Sequence, residues 1–176
     1  MIMRPGQQLL LPANPLFIWG SMAVALLLNM LQNVGLWGRA AWVPDVLALV
    51  LVFWTVHQPL RVSIGAAFFF GLLMDVHQGG LLGQHAMSYT VLSFLAITIH
   101  RRLLWFPVLQ QAAQVLPLFL VSHLVELLLR MLSGSGFAGW DLFIAPVLEA
   151  ALWPLATAVL LAPQRRAPDP DDNRPL

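Results

Sequence analysis

The sequence predicts an all-α membrane protein, a six-transmembrane-helix bundle, and three observations carry that expectation. Hydrophobic residues make up 59% of the 176 residues and charged residues only 10%, against about 25% charged in soluble globular domains. The apolar residues fall into six runs separated by Gly, Pro and Arg. All 9 basic residues are Arg, and most stand at the ends of those runs. A chain with so few polar groups could not cover its own surface in water, so lipid must cover it. Cys is absent, which excludes disulfides and thiolate metal sites. No basic stripe of the kind that tracks nucleic acid occurs.

The first run, Pro15 to about Leu36, is long enough at 1.5 Å per residue to span a hydrocarbon core of about 30 Å. It exceeds a signal-peptide core and no small-residue cleavage site follows, so it is expected to be a retained helix. A turn at Gly35 to Ala41 precedes two shorter runs, Trp42 to Val56 and Val62 to about Val76. These are split by His57-Gln58-Pro59-Leu60-Arg61, whose Pro and Arg are ill suited to mid-membrane. They form a helical hairpin, either as two short spans or as a re-entrant pair. The glycine-rich segment from His77 to Gly83 makes a loop. The fourth run covers His85 to Ile99. The fifth, Pro107 to about Leu132, carries Pro117 inside it and is expected to kink there. After the turn Ser133 to Gly136, the sixth runs from Trp140 to Leu161, with Pro146 and Pro154 tolerated among neighbouring helices. Residues 1–14 form an N-terminal segment, 15–163 the transmembrane domain, and 164–176 a Pro- and Asp-rich tail expected to be disordered.

Orientation follows from the arginines. With the N-terminus inside, Arg4, Arg61, Arg101, Arg102, Arg165, Arg166 and Arg174 are cytoplasmic, and only Arg39 and Arg130 are outside. Both termini are then cytoplasmic. Trp19, Trp37, Trp42, Trp105, Trp140 and Trp153 lie mostly near predicted ends and are expected to anchor at the interfaces.

With that topology the polar residues inside the runs gather in the outward half, and the inner half has almost nothing polar. Asn29, Gln32 and Asn33 share a face of the first helix, and His123, Glu126 and Arg130 share one on the fifth. Asp45, Asp75, Asp141 and Glu149 complete the group. Glu149 lies about 13 Å below Trp140 along the helix and needs a partner there, with Arg130 and His123 the candidates by depth. The cluster is either a polar cavity open to the outside or a set of interhelical hydrogen bonds that hold the bundle together. Ala67, Gly71 and Asp75 recur at every fourth residue. The small pair suits close helix packing, with the carboxylate at its outer end.

Chemistry beyond this finds little purchase. His77 and His85 only bracket a loop, and the His123-x-x-Glu126 spacing lacks the second His of a zinc set. No nucleophile elbow or phosphate-binding glycine loop occurs, and neither Ser122 nor Ser133 has a strained turn to activate it. No catalytic, metal or cofactor site is expected.

The order Val43-Pro44-Asp45, Trp54, Pro59-Leu60-Arg61-Val62, Gly65, Gly71, Asp75, Gly79-Gly80 and Leu82-Gly83 resembles the bacterial rod-shape-determining MreD family. The resemblance is strong over Trp42 to Leu95. It continues weakly through Gln110-Gln111 and returns at Leu152-Trp153-Pro154. It implies a non-catalytic component of the lateral wall-synthesis (elongation) complex in the cytoplasmic (inner) membrane. The implied partner is a single-span MreC scaffold, through which the family is linked to actin-like MreB and to the peptidoglycan transpeptidase and glycosyltransferase. On the same resemblance Pro44, Asp45, Pro59, Arg61, Gly65, Gly71, Asp75 and Gly83 are motif residues for partner binding or structure. The resemblance also implies a fold similar to the substrate-binding subunits of energy-coupling-factor vitamin transporters. A small-molecule-binding transporter subunit is therefore the alternative, with its ligand among Asn29, Glu126, Arg130 and Glu149. Here Asn29 follows Ser21 and Ala25, which leaves no clear alanine-based coupling face on the first helix. Oligomeric state, including a homo-oligomer, stays open.

Overall fold

A computed structural model describes residues 13–32, 42–79, 81–137 and 139–164. Calls on Arg4, Asn33, Arg39, Gly80, Arg165, Arg166 and Arg174, on Trp37 and the turn after the first run, and on nearly all of both terminal segments lie outside them. Among the described residues there are six α-helices and no strand: α1 Pro15–Leu31, α2 Val46–His57, α3 Ile64–Gln78, α4 Gln84–Leu103, α5 Val108–Leu132 and α6 Ile144–Leu161. A 3₁₀ turn, Trp140–Phe143, leads into α6, and another, Ala162–Gln164, extends it. Gln164, assigned from sequence to the tail, is buried.

Local sequence sets the boundaries. Asn14 caps α1 by accepting the Leu16 N–H at 3.0 Å, with Pro15 in the first turn, where it gives up no helical bond. The α2 helix begins at Val46 and not at Trp42, because Asp45 is its N-cap and accepts the Ala48 N–H at 2.9 Å. The α3 helix stops at Gly79, whose φ of 62° is left-handed and cheap only for glycine. The α5 helix continues without a break through Pro117.

Every residue from Leu47 to Val56 is buried, so α2 is the central helix, packed against α1, α4 and α6. A helix that is apolar all round belongs inside a bundle. The α3 helix packs on α4, α4 on α5, and α5 on α6. Lengths qualify the six-span expectation. Two segments, Val108–Leu132 and Trp140–Gln164, are long and apolar enough to cross a membrane, whereas α1, α2 and α3 are apolar but shorter.

One tryptophan assignment changes. Trp153 is fully buried and donates to Gln111 Oε1 at 3.2 Å, and is therefore a core residue instead of an interfacial anchor. Trp54, equally buried, donates to Ser21 Oγ at 2.8 Å. With Thr55 and Ser93 in contact at 3.5 Å, these pairs make the part of the bundle remote from Asp45 more polar than expected. A buried indole N–H needs an acceptor, and each has found one on a neighbouring helix.

Candidate functional site

The start of α2 is the hub. Asp45, already the cap of its own helix, accepts from Asn29 Nδ2 on α1 and from the Tyr89 hydroxyl on α4. Asn29 returns the contact by accepting the Val46 N–H at 3.1 Å. The Asp45 backbone N–H, one of the donors that no helix turn can satisfy, goes to Glu149 Oε1 on α6 at 2.9 Å. Glu149 is fully buried, and the same oxygen accepts from His123 Nε2 on α5 at 2.9 Å.

A second hub is Asp75, at the end of α3. Its carboxylate accepts from the Gly83, His85 and Ala86 backbone N–H groups at 2.8, 2.8 and 3.2 Å, and from His85 Nδ1 at 2.9 Å. It therefore caps the N-terminus of α4 from another helix, where free N–H groups and the helix dipole favour an anion. Gly83, at a φ of 103°, gives the turn that aims its N–H at Asp75. His85, expected to be an ordinary loop polar group, is a buried residue in the first turn of α4.

Glu126 joins the hubs. Its Oε1 accepts from Gln84 Nε2 at 3.0 Å and lies 3.5 Å from His85 Nε2, while its Oε2 lies 3.9 Å from His123 Nδ1. Its side chain is 23% exposed, whereas those of His85, His123, Asp75 and Glu149 range from 11% down to none. The order Asp75, His85, Glu126, His123, Glu149 thus makes a chain of alternating acids and imidazoles that meets solvent near its middle and ends on the Asp45 N–H.

The geometry sorts the expected residues. Asn29, Asp45, Asp75, Glu126, His123 and Glu149 come together. Arg130 does not: it is exposed at the end of α5 and makes no salt bridge among the described residues, so His123 and not Arg130 pairs with Glu149. Gln32 lines an open pocket with Trp42, Val43 and Pro44. Gly71 packs hard on α4, since an added Cβ would meet Ala86 Cα at 2.5 Å, while Gly65 is exposed and its Cβ would meet nothing. Arg61 reaches back to the Ala13 carbonyl at 2.9 Å, and Pro59 sits in the turn before it.

Sequence reasoning missed Gln84, His85 and Tyr89 as members, together with the buried Ser88–Ser122 hydroxyl pair at 2.6 Å. A signal was present. Gln84, His85, Ser88, Tyr89 and Ser93 form a polar stripe along α4, and Tyr89 is the chain's one tyrosine. Among the described residues no group of His, Asp or Glu has the arrangement of a metal set. What the site offers is hydrogen bonding, buried charge and proton exchange.

These features lie within a stretch that known proteins share. The family model described as rod shape-determining protein MreD matches residues 13–161. The chain belongs to the MreD family. The MreD protein of Haemophilus influenzae (strain ATCC 51907 / DSM 11121 / KW20 / Rd) is 30% identical over 120 residues, covering 66% of this chain and 69% of that protein. No solved structure gives a significant match. Membership in MreD, a membrane protein family, supports a role in rod-shape determination and involvement with the shape-determining complex.

Proposed function

We propose that this chain is a six-span subunit of the bacterial cytoplasmic membrane, with both ends in the cytoplasm, that works in the elongation complex without catalysis of its own. Its partner is a single-span MreC-type scaffold. Through that scaffold it serves to connect actin-like MreB inside with the peptidoglycan transpeptidase and glycosyltransferase outside. The observation that carries this is the family match over residues 13–161. The helix order supports the topology: Arg61, Arg101 and Arg102 lie at one end of α2, α3 and α4, while Asp45, Asp75 and His85 lie at the other. Short loops that keep arginine on the cytoplasmic side give this arrangement. The short α2 suits the reading too, because a helix buried against α1, α4 and α6 need not match the lipid thickness itself.

Affinity purification in mild detergent tests it. Recovery of a single-span scaffold is the expected outcome. Recovery of an ATPase module in its place would make the chain the small-molecule-binding subunit of a transporter, and neither partner would overturn the assembly role.

A further inference from the structure

The acid–imidazole chain has a property that packing alone does not require. His123 stands between two carboxylates, with Nε2 at 2.9 Å from Glu149 Oε1 and Nδ1 at 3.9 Å from Glu126 Oε2. Glu149 Oε2 and His123 Nδ1 are buried without a hydrogen-bond partner. Buried polar atoms rarely stay unpaired, and two on adjoining groups mark a place where protons or donors change hands. Only Glu126 in this trio has substantial contact with solvent.

The geometry points to a proton relay, in which a proton entering at Glu126 is passed through His123 to Glu149 and loosens the start of α2. The step balances as follows. Glu126 gives the proton on Oε2 to His123 Nδ1, and His123 gives its Nε2 proton to Glu149 Oε1. Glu126 is left as carboxylate, the imidazole is neutral in its other tautomer, and Glu149 becomes a neutral acid. The small gap between Glu126 and His123 is closed by a side-chain torsion of Glu126. Glu149 Oε1 also accepts the Asp45 N–H, so protonating that oxygen weakens the bond that ties the first turn of α2 to α6. The responding element is thus the Pro44-Asp45 start of the central helix.

The groups facing the relay from each packed element are consistent with this. Asp45 comes from α2, His85 and Tyr89 from α4, and Asp75 from α3 behind His85, while α1 contributes the neutral Asn29. No arginine joins the chain among the described residues, since Arg130 is exposed. Four carboxylates, Asp45, Asp75, Glu126 and Glu149, therefore share two imidazoles, and this surplus of acids favours taking up a proton when one is offered. The inference concerns regulation within the bundle and stands apart from which proteins the chain binds.

Infrared difference spectra of the purified full-length protein after an acid jump test it. The wild type should gain the carboxyl band of a buried acid, and Glu149→Gln should lose that band. Glu126→Gln should keep its amplitude but acquire it about tenfold more slowly or worse, because the general acid–base entry is gone. A band that persists in Glu149→Gln, or that forms at the wild-type rate in Glu126→Gln, overturns the relay. Should Glu149→Gln fail to accumulate, hydrogen exchange at the wild-type Asp45 amide decides. Protection that falls on acidification, after correction for intrinsic exchange, supports the relay, and constant protection overturns it.

Discussion

Gly71 on α3 lies against the backbone of Ala86 on α4, so close that a Cβ at position 71 would stand 2.5 Å from the Ala86 Cα and 2.6 Å from the His85 carbonyl oxygen. Both obstacles are backbone and cannot rotate away. Gly71→Ala must push α3 from α4 and should cost about 1–3 kcal/mol. Gly65→Ala on the same helix meets open space and should instead gain up to about 1 kcal/mol of helix propensity. Thermal unfolding in detergent would read the pair. Equal effects at the two sites would mean that the helices do not touch at Gly71.

That contact places Asp75 one helical turn further along, where its carboxylate holds the start of α4 through four donors. Asp75→Ala strands these donors in a buried place and should lower stability by about 1–3 kcal/mol or more. Membrane level and partner recovery are then expected to fall together. Normal level with lost partner recovery would move Asp75 from holding the fold to contacting the partner.

The apolar runs locate all six helices because a bundle helix needs a long apolar stretch and its ends need Gly, Pro, Arg or a cap. The expected runs Val62–Val76 and Pro107–Leu132 differ from α3 and α5 by only a residue or two at either end. The candidate site was half legible. Asn29, Asp45, Asp75, His123, Glu126 and Glu149 stand out as polar residues in apolar surroundings, and depth along the helices brings them to one end. Depth could not choose between His123 and Arg130 as the partner of Glu149, since that depends on the rotation of α5 about its axis. His85 and Tyr89 were hidden for a related reason. Their positions gain meaning only once α4 is seen to pass between Asp75 and Asp45.

Topology makes an independent test. Reporter fusions after Arg102 and after Arg166 should report cytoplasm, and fusions within Ser133 to Gly139 should report the outside. Reversal of either set would remove the six-span arrangement, and cytoplasmic signal at all three points would leave α5 and α6 short of crossing.

The His123–Glu149 contact can be measured as a coupling energy. Glu149 is fully buried, so Glu149→Gln leaves the imidazole of His123 without its anion, and His123→Gln leaves the carboxylate without its ring donor. Each single change should cost about 3–5 kcal/mol, as when one member of a buried pair is removed. The double change removes both partners together and should recover part of that loss, giving a coupling of about 0.5–3 kcal/mol in a thermal-stability cycle. Arg130 serves as the control. It is exposed and makes no salt bridge among the described residues, so Arg130→Gln should shift stability by no more than about 0.5 kcal/mol and show no coupling to Glu149→Gln. Strict additivity of the His123 and Glu149 changes would refute the pair, and coupling to Arg130 in its place would mean that α5 presents a different face to α6.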